Sequence, residues 1–128
     1  MTKIMIVDDD IETTTILESI LKLEGYVPTS VNDSTIATQR ASLIHPNLFL
    51  LDLMMPGIDG FKLCRLLRAD PEFVHTPIII ITALADNDSR IVAYGAGASD
   101  YITKPYLPQE LVSKIKDLIT MTKYGFDE

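Results

Sequence analysis

One cysteine, Cys64, in 128 residues leaves the chain no internal disulfide, and a reducing, cytoplasmic setting is the expectation that follows. Cations are scarce. Lysine and arginine number 11 against 18 aspartates and glutamates, a formal net charge of −7. That balance speaks against a nucleic-acid-binding surface, which needs clustered Lys and Arg, and suits partners of basic or mixed charge. No apolar run approaches the ~18 residues that a membrane-spanning helix requires. Met1-Thr2-Lys3 leads straight into Ile4–Val7 and then three acids, without the longer apolar core and cleavage site of a secretory leader. Internal repeats and low-complexity tracts are absent. No glycine-rich phosphate loop follows the first apolar run, and Gly95-Ala96-Gly97 lacks the spacing of a dinucleotide loop. The remaining composition, 47% hydrophobic and 23% charged, is that of a globular protein. The length suits one domain with a core that needs no staples. That domain is expected over 1–122, with 123–128 as a tail or the start of a linker.

Short apolar runs alternate with helical periods. Ile4–Val7, Leu48–Leu51 and Ile78–Ile81 are apolar at every position, the pattern of strands buried on both faces in a parallel sheet covered by helices. Tyr26–Val31 reads as a weaker strand; Pro28 removes a ladder donor and so assigns it to an edge. Tyr101-Ile102 is a short fifth strand. The intervening periods predict five helices. The first runs from Ile11 to Glu24, with Ile16, Leu17, Ile20 and Leu21 inward and Gly25 as its stop. The second starts from Asn32 or Asp33, ends near Ile44, and buries Ala37, Ala41 and Ile44. The third, Gly60–Ala69, turns Phe61, Cys64 and Leu67 inward. The fourth spans Asp88–Tyr94, and the last runs from Pro108 to about Thr122 with Leu111, Ile115, Leu118 and Thr122 in line. Strict β-α alternation predicts a doubly wound five-stranded parallel α/β domain with helices on both faces.

In such a sheet the ligand site lies at the carboxyl ends of the strands, and there the chain concentrates its chemistry. In "LLDLMMPGIDGF" an apolar strand ends on a carboxylate, Asp52. Burying a carboxylate is costly unless something compensates it. Strand 1 ends in Asp8-Asp9-Asp10, strand 4 in Thr82-Ala83, and strand 5 is followed by Thr103-Lys104-Pro105. Singly, each has an ordinary reading: Asp9 or Asp10 caps a helix, Thr82 is a β-branched strand residue, and Lys104 is a solvated charge. Together they are acids that repel one another beside an ammonium and a hydroxyl. Lys104 and a divalent cation would compensate the charge. Hard oxygen ligands and few protein donors suit Mg²⁺.

Four stretches, "IMIVDDD", "LFLLDLMMPGIDGF", "PIIIITA" and "GASDYITKPY", in this order and spacing, closely resemble the response regulator receiver domain of two-component signalling, over almost the whole chain. The resemblance carries the flavodoxin-like strand order 2-1-3-4-5. It implies that Asp52 is the phosphoacceptor and that Asp8 and Asp9 organise Mg²⁺. Asp9, Asp52 and the backbone carbonyl of Met54 would ligate the metal directly. Thr82 and Lys104 would contact the phosphoryl oxygens, Tyr101 would be the switch aromatic, and Lys104-Pro105 would be a cis peptide. The partner implied is a histidine kinase or phosphotransfer protein. The readout would be a changed surface of helix 4, strand 5 and helix 5, acting on an output domain or downstream protein. A weak homodimer through that face, with Asp100 pairing to Lys114 of a second copy, is a further expectation. With apolar Met54 and Leu84 flanking the path of a hydrolytic water, slow self-dephosphorylation is expected.

Other functions fit less well. A phosphatase or dehalogenase with an aspartate nucleophile usually carries a second acid two residues on, where this chain has Met54. A flavodoxin-like cofactor binder would want a Ser/Thr/Gly-rich loop where this chain has three aspartates. A pseudo-receiver that only binds partners would not need Asp8, Asp9, Asp52, Thr82 and Lys104 together. His45 and His75 read as loop residues beside turn prolines, and Cys64 as a small core residue.

Overall fold

A computed structural model describes residues 1–122, so the expected tail, 123–128, lies outside the described residues. The elements alternate strictly: β1 (Lys3–Val7), α1 (Ile11–Leu23), β2 (Val27–Val31), α2 (Ala37–Ile44), β3 (Leu48–Leu51), α3 (Gly60–Ala69), β4 (Ile78–Thr82), α4 (Asn87–Gly95), β5 (Asp100–Thr103) and α5 (Pro108–Thr120). The strands form one sheet in the order β2-β1-β3-β4-β5, and every pairing is parallel. Fold class, strand order and the edge position of β2 are as expected. No helix among the described residues is long and apolar enough to cross a membrane.

The doubly apolar strands divide their side chains between two cores. Met5, Val7, Phe49, Leu51, Ile78 and Ile80 meet Ala37, Ala41, Leu63, Cys64, Leu67 and Ala93 of α2, α3 and α4. On the other face Ile4, Ile6, Leu48, Leu50, Ile79 and Ile81 meet Leu17 and Leu21 of α1 and Leu111 and Ile115 of α5. Each fully buried Leu, Ile or Phe contributes roughly 1.5–3 kcal/mol. Phe73, in the α3–β4 connection, closes the first core edge-to-face on Phe49 at 5.2 Å.

Three local expectations differ. Ile16 is 54% exposed; the buried line of α1 is Thr14, Leu17 and Leu21, because the helix is rotated one position from the assumed face. The second helix opens as a 3-10 turn, Ser34–Ile36, capped by the Asp33 carboxylate, and becomes α-helical only at Ala37. Thr122 is exposed beyond α5, whose buried contacts are Leu111 and Ile115.

Register fixes the site. Val7 lies opposite Leu51, so the next residues, Asp8 and Asp52, leave the sheet side by side, and Asp52 N–H continues the ladder to the Val7 carbonyl at 3.1 Å. Thr82 lies opposite Thr103, and Lys104 N–H donates to the Thr82 carbonyl at 2.8 Å.

Candidate functional site

Two acids and one cation form the centre. Asp8 and Asp52 are 4% and 9% exposed. The Lys104 ammonium lies 3.2 Å from the Oδ2 of each. Their other oxygens are held by the backbone: Asp8 Oδ1 accepts from Asp10 N–H at 2.9 Å, and Asp52 Oδ1 from Met54 N–H at 3.2 Å. Burial pushes the Asp8 carboxyl above the ordinary aspartate value, against the opposing pull of the Asp10 N–H and of Lys104. For Lys104 burial acts against the charge, but Asp52 and Asp8 outweigh it and hold the ammonium above the ordinary lysine value. Pro105, after a cis Lys104–Pro105 peptide, follows the lysine as expected.

Asp9 is exposed, and among the described residues no group of three His, Cys, Asp or Glu side chains is assembled as a metal cage. The donors nonetheless suit a hard cation. Asp8, Asp9 and Asp52 carry three formal negative charges against the single positive charge of Lys104, and all offer oxygen. Mg²⁺ characteristically takes one or two carboxylates, keeps waters and binds phosphate oxygens instead of filling a protein cage. Asp10 takes the ordinary role open to it: its carboxylate caps α1, accepting from Glu12 N–H at 3.1 Å and the Thr13 hydroxyl at 2.8 Å.

Thr82 is fully buried, and its Oγ1 accepts from Leu84 N–H at 3.4 Å. Ala83 and Met54 are exposed at the mouth of the site. Tyr101, the expected switch aromatic, lies inside, 3% exposed. Its hydroxyl donates to the Leu84 carbonyl at 2.6 Å. The Arg90 guanidinium lies 4.6 Å above the ring and donates to the Thr103 hydroxyl at 3.2 Å. The pair Asp100–Lys114, expected to bridge two copies, closes within one chain at 3.2 Å to both carboxylate oxygens, because one face of α5 lies alongside β5. His45 ends α2 in the left-handed region, with its Nδ1 against the Glu72 carboxylate. With His75 it lines a cleft of about 620 Å³ near the amino ends of β1, β3 and β4, away from the acids.

Sequence reasoning missed the residues that shape the β3–α3 loop. Gly60 packs so closely that a Cβ there would lie 2.1 Å from the Asp52 carbonyl oxygen. Ser34, from the turn before α2, reaches into the same loop. Nothing in the spacing of a lone serine signals such a contact.

The family model of the response regulator receiver domain matches residues 4–116. The DNA-binding response regulator MtrA of Mycolicibacterium paratuberculosis is 39% identical over 114 residues, 89% of this chain and 49% of its own. The chain thus spans about half the length of the curated relatives it first matches. The receiver domain of a signal transduction histidine kinase from Syntrophus aciditrophicus superimposes with a TM-score of 0.90 at 34% identity, covering 97% of this chain and 94% of that one. The receiver domain of a sensor histidine kinase from Pseudomonas aeruginosa, solved with a magnesium ion coordinated in its active-site cleft, gives a TM-score of 0.86 at 31% identity, covering 93% and 98%.

Proposed function

The chain belongs to the response regulator receiver domain family, and from that premise we propose that Asp52 accepts a phosphoryl group from the phosphohistidine of a histidine kinase or phosphotransfer protein, or from a small phosphodonor. An Asp52 oxygen attacks phosphorus. The new O–P bond forms as the P–N bond breaks, and the departing imidazole nitrogen keeps the electron pair. The product is an acyl phosphate, as with other carboxylate nucleophiles.

The chain's own residues position and neutralise, which is most of what phosphoryl transfer needs. Met54 N–H holds one Asp52 oxygen and leaves the other facing Lys104. As charge moves from the carboxylate to the phosphoryl oxygens, Lys104 follows it by a small swing from its present bridge. Thr82 offers its hydroxyl to the same oxygens. Asp8, Asp9, Asp52 and the Met54 carbonyl would hold Mg²⁺, which when bound supplies further neutralisation of the phosphoryl oxygens. Magnesium in the cleft of the Pseudomonas receiver domain supports this reading.

Phosphorylation would shift the balance between two states of the α4–β5–α5 surface through Thr82, Leu84 and Tyr101. That surface would act on an output domain or a downstream protein, and through a weak homodimer. With Asp100 and Lys114 already paired, such a dimer would rest on the exposed Ile91, Val92, Tyr94 and Leu107. The chain would be a cytoplasmic signalling module that modifies itself and turns over no external substrate.

The observation that carries this reading is Lys104 spanning two buried strand-end carboxylates, Asp8 and Asp52. Incubation with acetyl phosphate and Mg²⁺, followed by intact-protein and peptide mass spectrometry, tests it. One phosphoryl group on Asp52 is expected, and none in Asp52→Asn. Wild-type protein that stays unmodified would leave a binding-only pseudo-receiver, and a label mapping elsewhere would remove Asp52 from its role.

A further inference from the structure

We infer that Ser34 is a positioning residue for this site: its buried hydroxyl pins the loop that carries Asp52 and the Met54 carbonyl. The inference rests on Asp52 and that carbonyl serving as proposed above.

Ser34 is 3% exposed although it lies in a polar turn. Its hydroxyl donates to the Pro56 carbonyl at 3.0 Å and accepts from Ile58 N–H at 3.0 Å. One side chain thus satisfies both backbone groups flanking Gly57, the tip of the β3–α3 loop. Ser34 is itself held. The Asp33 carboxylate accepts from Thr35 N–H at 3.0 Å and from the Thr35 hydroxyl at 2.6 Å, which fixes the turn that presents Ser34. Thr35 then closes against the loop: Gly57 has φ +81, and a Cβ there would lie 2.7 Å from Thr35 Cγ2.

Met55 and Ile58 of the loop also pack against the first core, and the loop's remaining polar contacts lie at its two ends. Near its start Met54 N–H binds Asp52 Oδ1. At its end Gly60 N–H binds the Leu53 carbonyl at 3.0 Å, and Asp59 caps α3 through Lys62 N–H at 2.8 Å. Between them, Met54 to Ile58 has Ser34 as its hydrogen-bonding anchor from outside the loop. Deleting the hydroxyl orphans a carbonyl and an N–H together, the costly way to lose a hydrogen bond. The loop then relaxes, and the Met54 carbonyl moves with it. Sites that act by positioning depend on such supporting contacts to fractions of an ångström.

The test follows Mg²⁺ binding by amide chemical shifts of the full chain, separately from transfer measured with acetyl phosphate. Ser34→Ala should need about fivefold or more Mg²⁺ for half-saturation and be phosphorylated more slowly at limiting Mg²⁺, with the rate recovering as Mg²⁺ is raised. Ser34→Thr, which keeps the hydroxyl, should restore the midpoint. Gly57→Ala, which strains the loop from the other side, should weaken Mg²⁺ as Ser34→Ala does. Ser99→Ala is the control: it removes a hydroxyl that accepts from Ile78 N–H at 3.0 Å at the opposite end of the sheet, and should lower stability without moving the midpoint. An unchanged Mg²⁺ midpoint in Ser34→Ala overturns the inference. Should that variant not fold, hydrogen exchange of the wild-type Ile58 amide decides: protection supports the pin, and exchange at the rate of a free loop amide overturns it. Failure of Asp52 to take a phosphoryl group in the wild type would strike the functional reading instead, while the amide titration still reports on Ser34.

Discussion

The Tyr101 hydroxyl donates to the backbone carbonyl of Leu84 across 2.6 Å. Leu84 N–H in turn donates to Thr82 Oγ1, so one residue joins Thr82 to Tyr101, the two residues proposed as the switch. On the proposed function, a displacement of Thr82 toward a phosphoryl group would reach Tyr101 through this one residue. The ring is inward in this structure, and the proposed effect of phosphorylation is a shift of population and not a new fold.

Arg90 should stabilise that inward state. A cation over an aromatic face contributes about 0.5–1 kcal/mol at exposed sites, and Arg90 also donates to Thr103. Arg90→Ala is expected to lower the stability of the unphosphorylated chain by about 1 kcal/mol in urea. A double-mutant cycle with Tyr101→Leu should return a coupling of roughly 0.5 kcal/mol or more. A coupling near zero would mean that the guanidinium merely lies over the ring.

Lys104→Gln removes the one cation between two buried carboxylates. Breaking a fully buried pair costs roughly 3–5 kcal/mol; Lys104 retains a quarter of its side-chain exposure, so about 1–3 kcal/mol is the discounted expectation. Mg²⁺, which on the proposed function would bind only the folded site, should recover part of that loss by mass action. Urea melts with and without Mg²⁺ measure both. A variant as stable as the wild type would show that solvent already screens the acids.

The raised Asp8 carboxyl sets a pH dependence of definite sign. The folded chain keeps the Asp8 proton at pH values where the unfolded chain, near the ordinary 3.8, has lost it. The folded state then binds more protons, and this group's contribution to stability falls as pH rises through that window. Lys104 acts in a different range: its raised value gives stability that is present below 10.5 and lost as pH climbs through the folded value. Asp8→Asn should therefore gain on the wild type, in urea midpoint, as pH rises above the unfolded value of 3.8. Asp10, Asp33 and Asp86 are lowered by hydrogen bonds and pull the other way, so the difference between variant and wild type is the quantity to follow. A difference independent of pH would contradict the assignment.

Periodicity carried most of the fold into view. Strands apolar at every position specify burial on two faces, and the same register that satisfies them brings Asp8 and Asp52 together. Pro28 marked the edge. What escaped was side-chain reach across loops. The Arg68 guanidinium donates to the carbonyls of Phe73, Thr76 and Gly97 and so ties α3 to the α4–β5 turn, where a Cβ on Gly97 would strike Arg68 Cγ at 2.5 Å. In the sequence Arg68 is one more basic residue near a helix end. Ser34 and the closure of Asp100 on Lys114 were hidden for the same reason: charge and hydroxyl patterns do not encode which loop they will meet.

The lifetime of the acyl phosphate proposed on Asp52 is expected to turn on Met54 and Leu84, which the structure sets in different surroundings. Hydrolysis needs a water in line with phosphorus, opposite Asp52, and its rate is largely a matter of placing that water. Met54 and Leu84 were both expected to flank its path. Leu84 is half-buried against the core of α3 and α4, and its carbonyl is taken by Tyr101. Met54 is 59% exposed, and its N–H fixes Asp52, which leaves its side chain free to lie over the phosphoryl group. Slow self-dephosphorylation is therefore expected to depend chiefly on Met54. Met54→Asn keeps the backbone contact and exchanges an apolar cover for a group that orients water. It should shorten the lifetime about tenfold, ~1.4 kcal/mol in the barrier. Leu84→Glu should add less, and should also loosen the Tyr101 contact. Decay of the phosphoprotein after the donor is removed, at constant Mg²⁺, measures each. An unchanged lifetime in Met54→Asn would mean that water reaches phosphorus by a path this side chain does not cover.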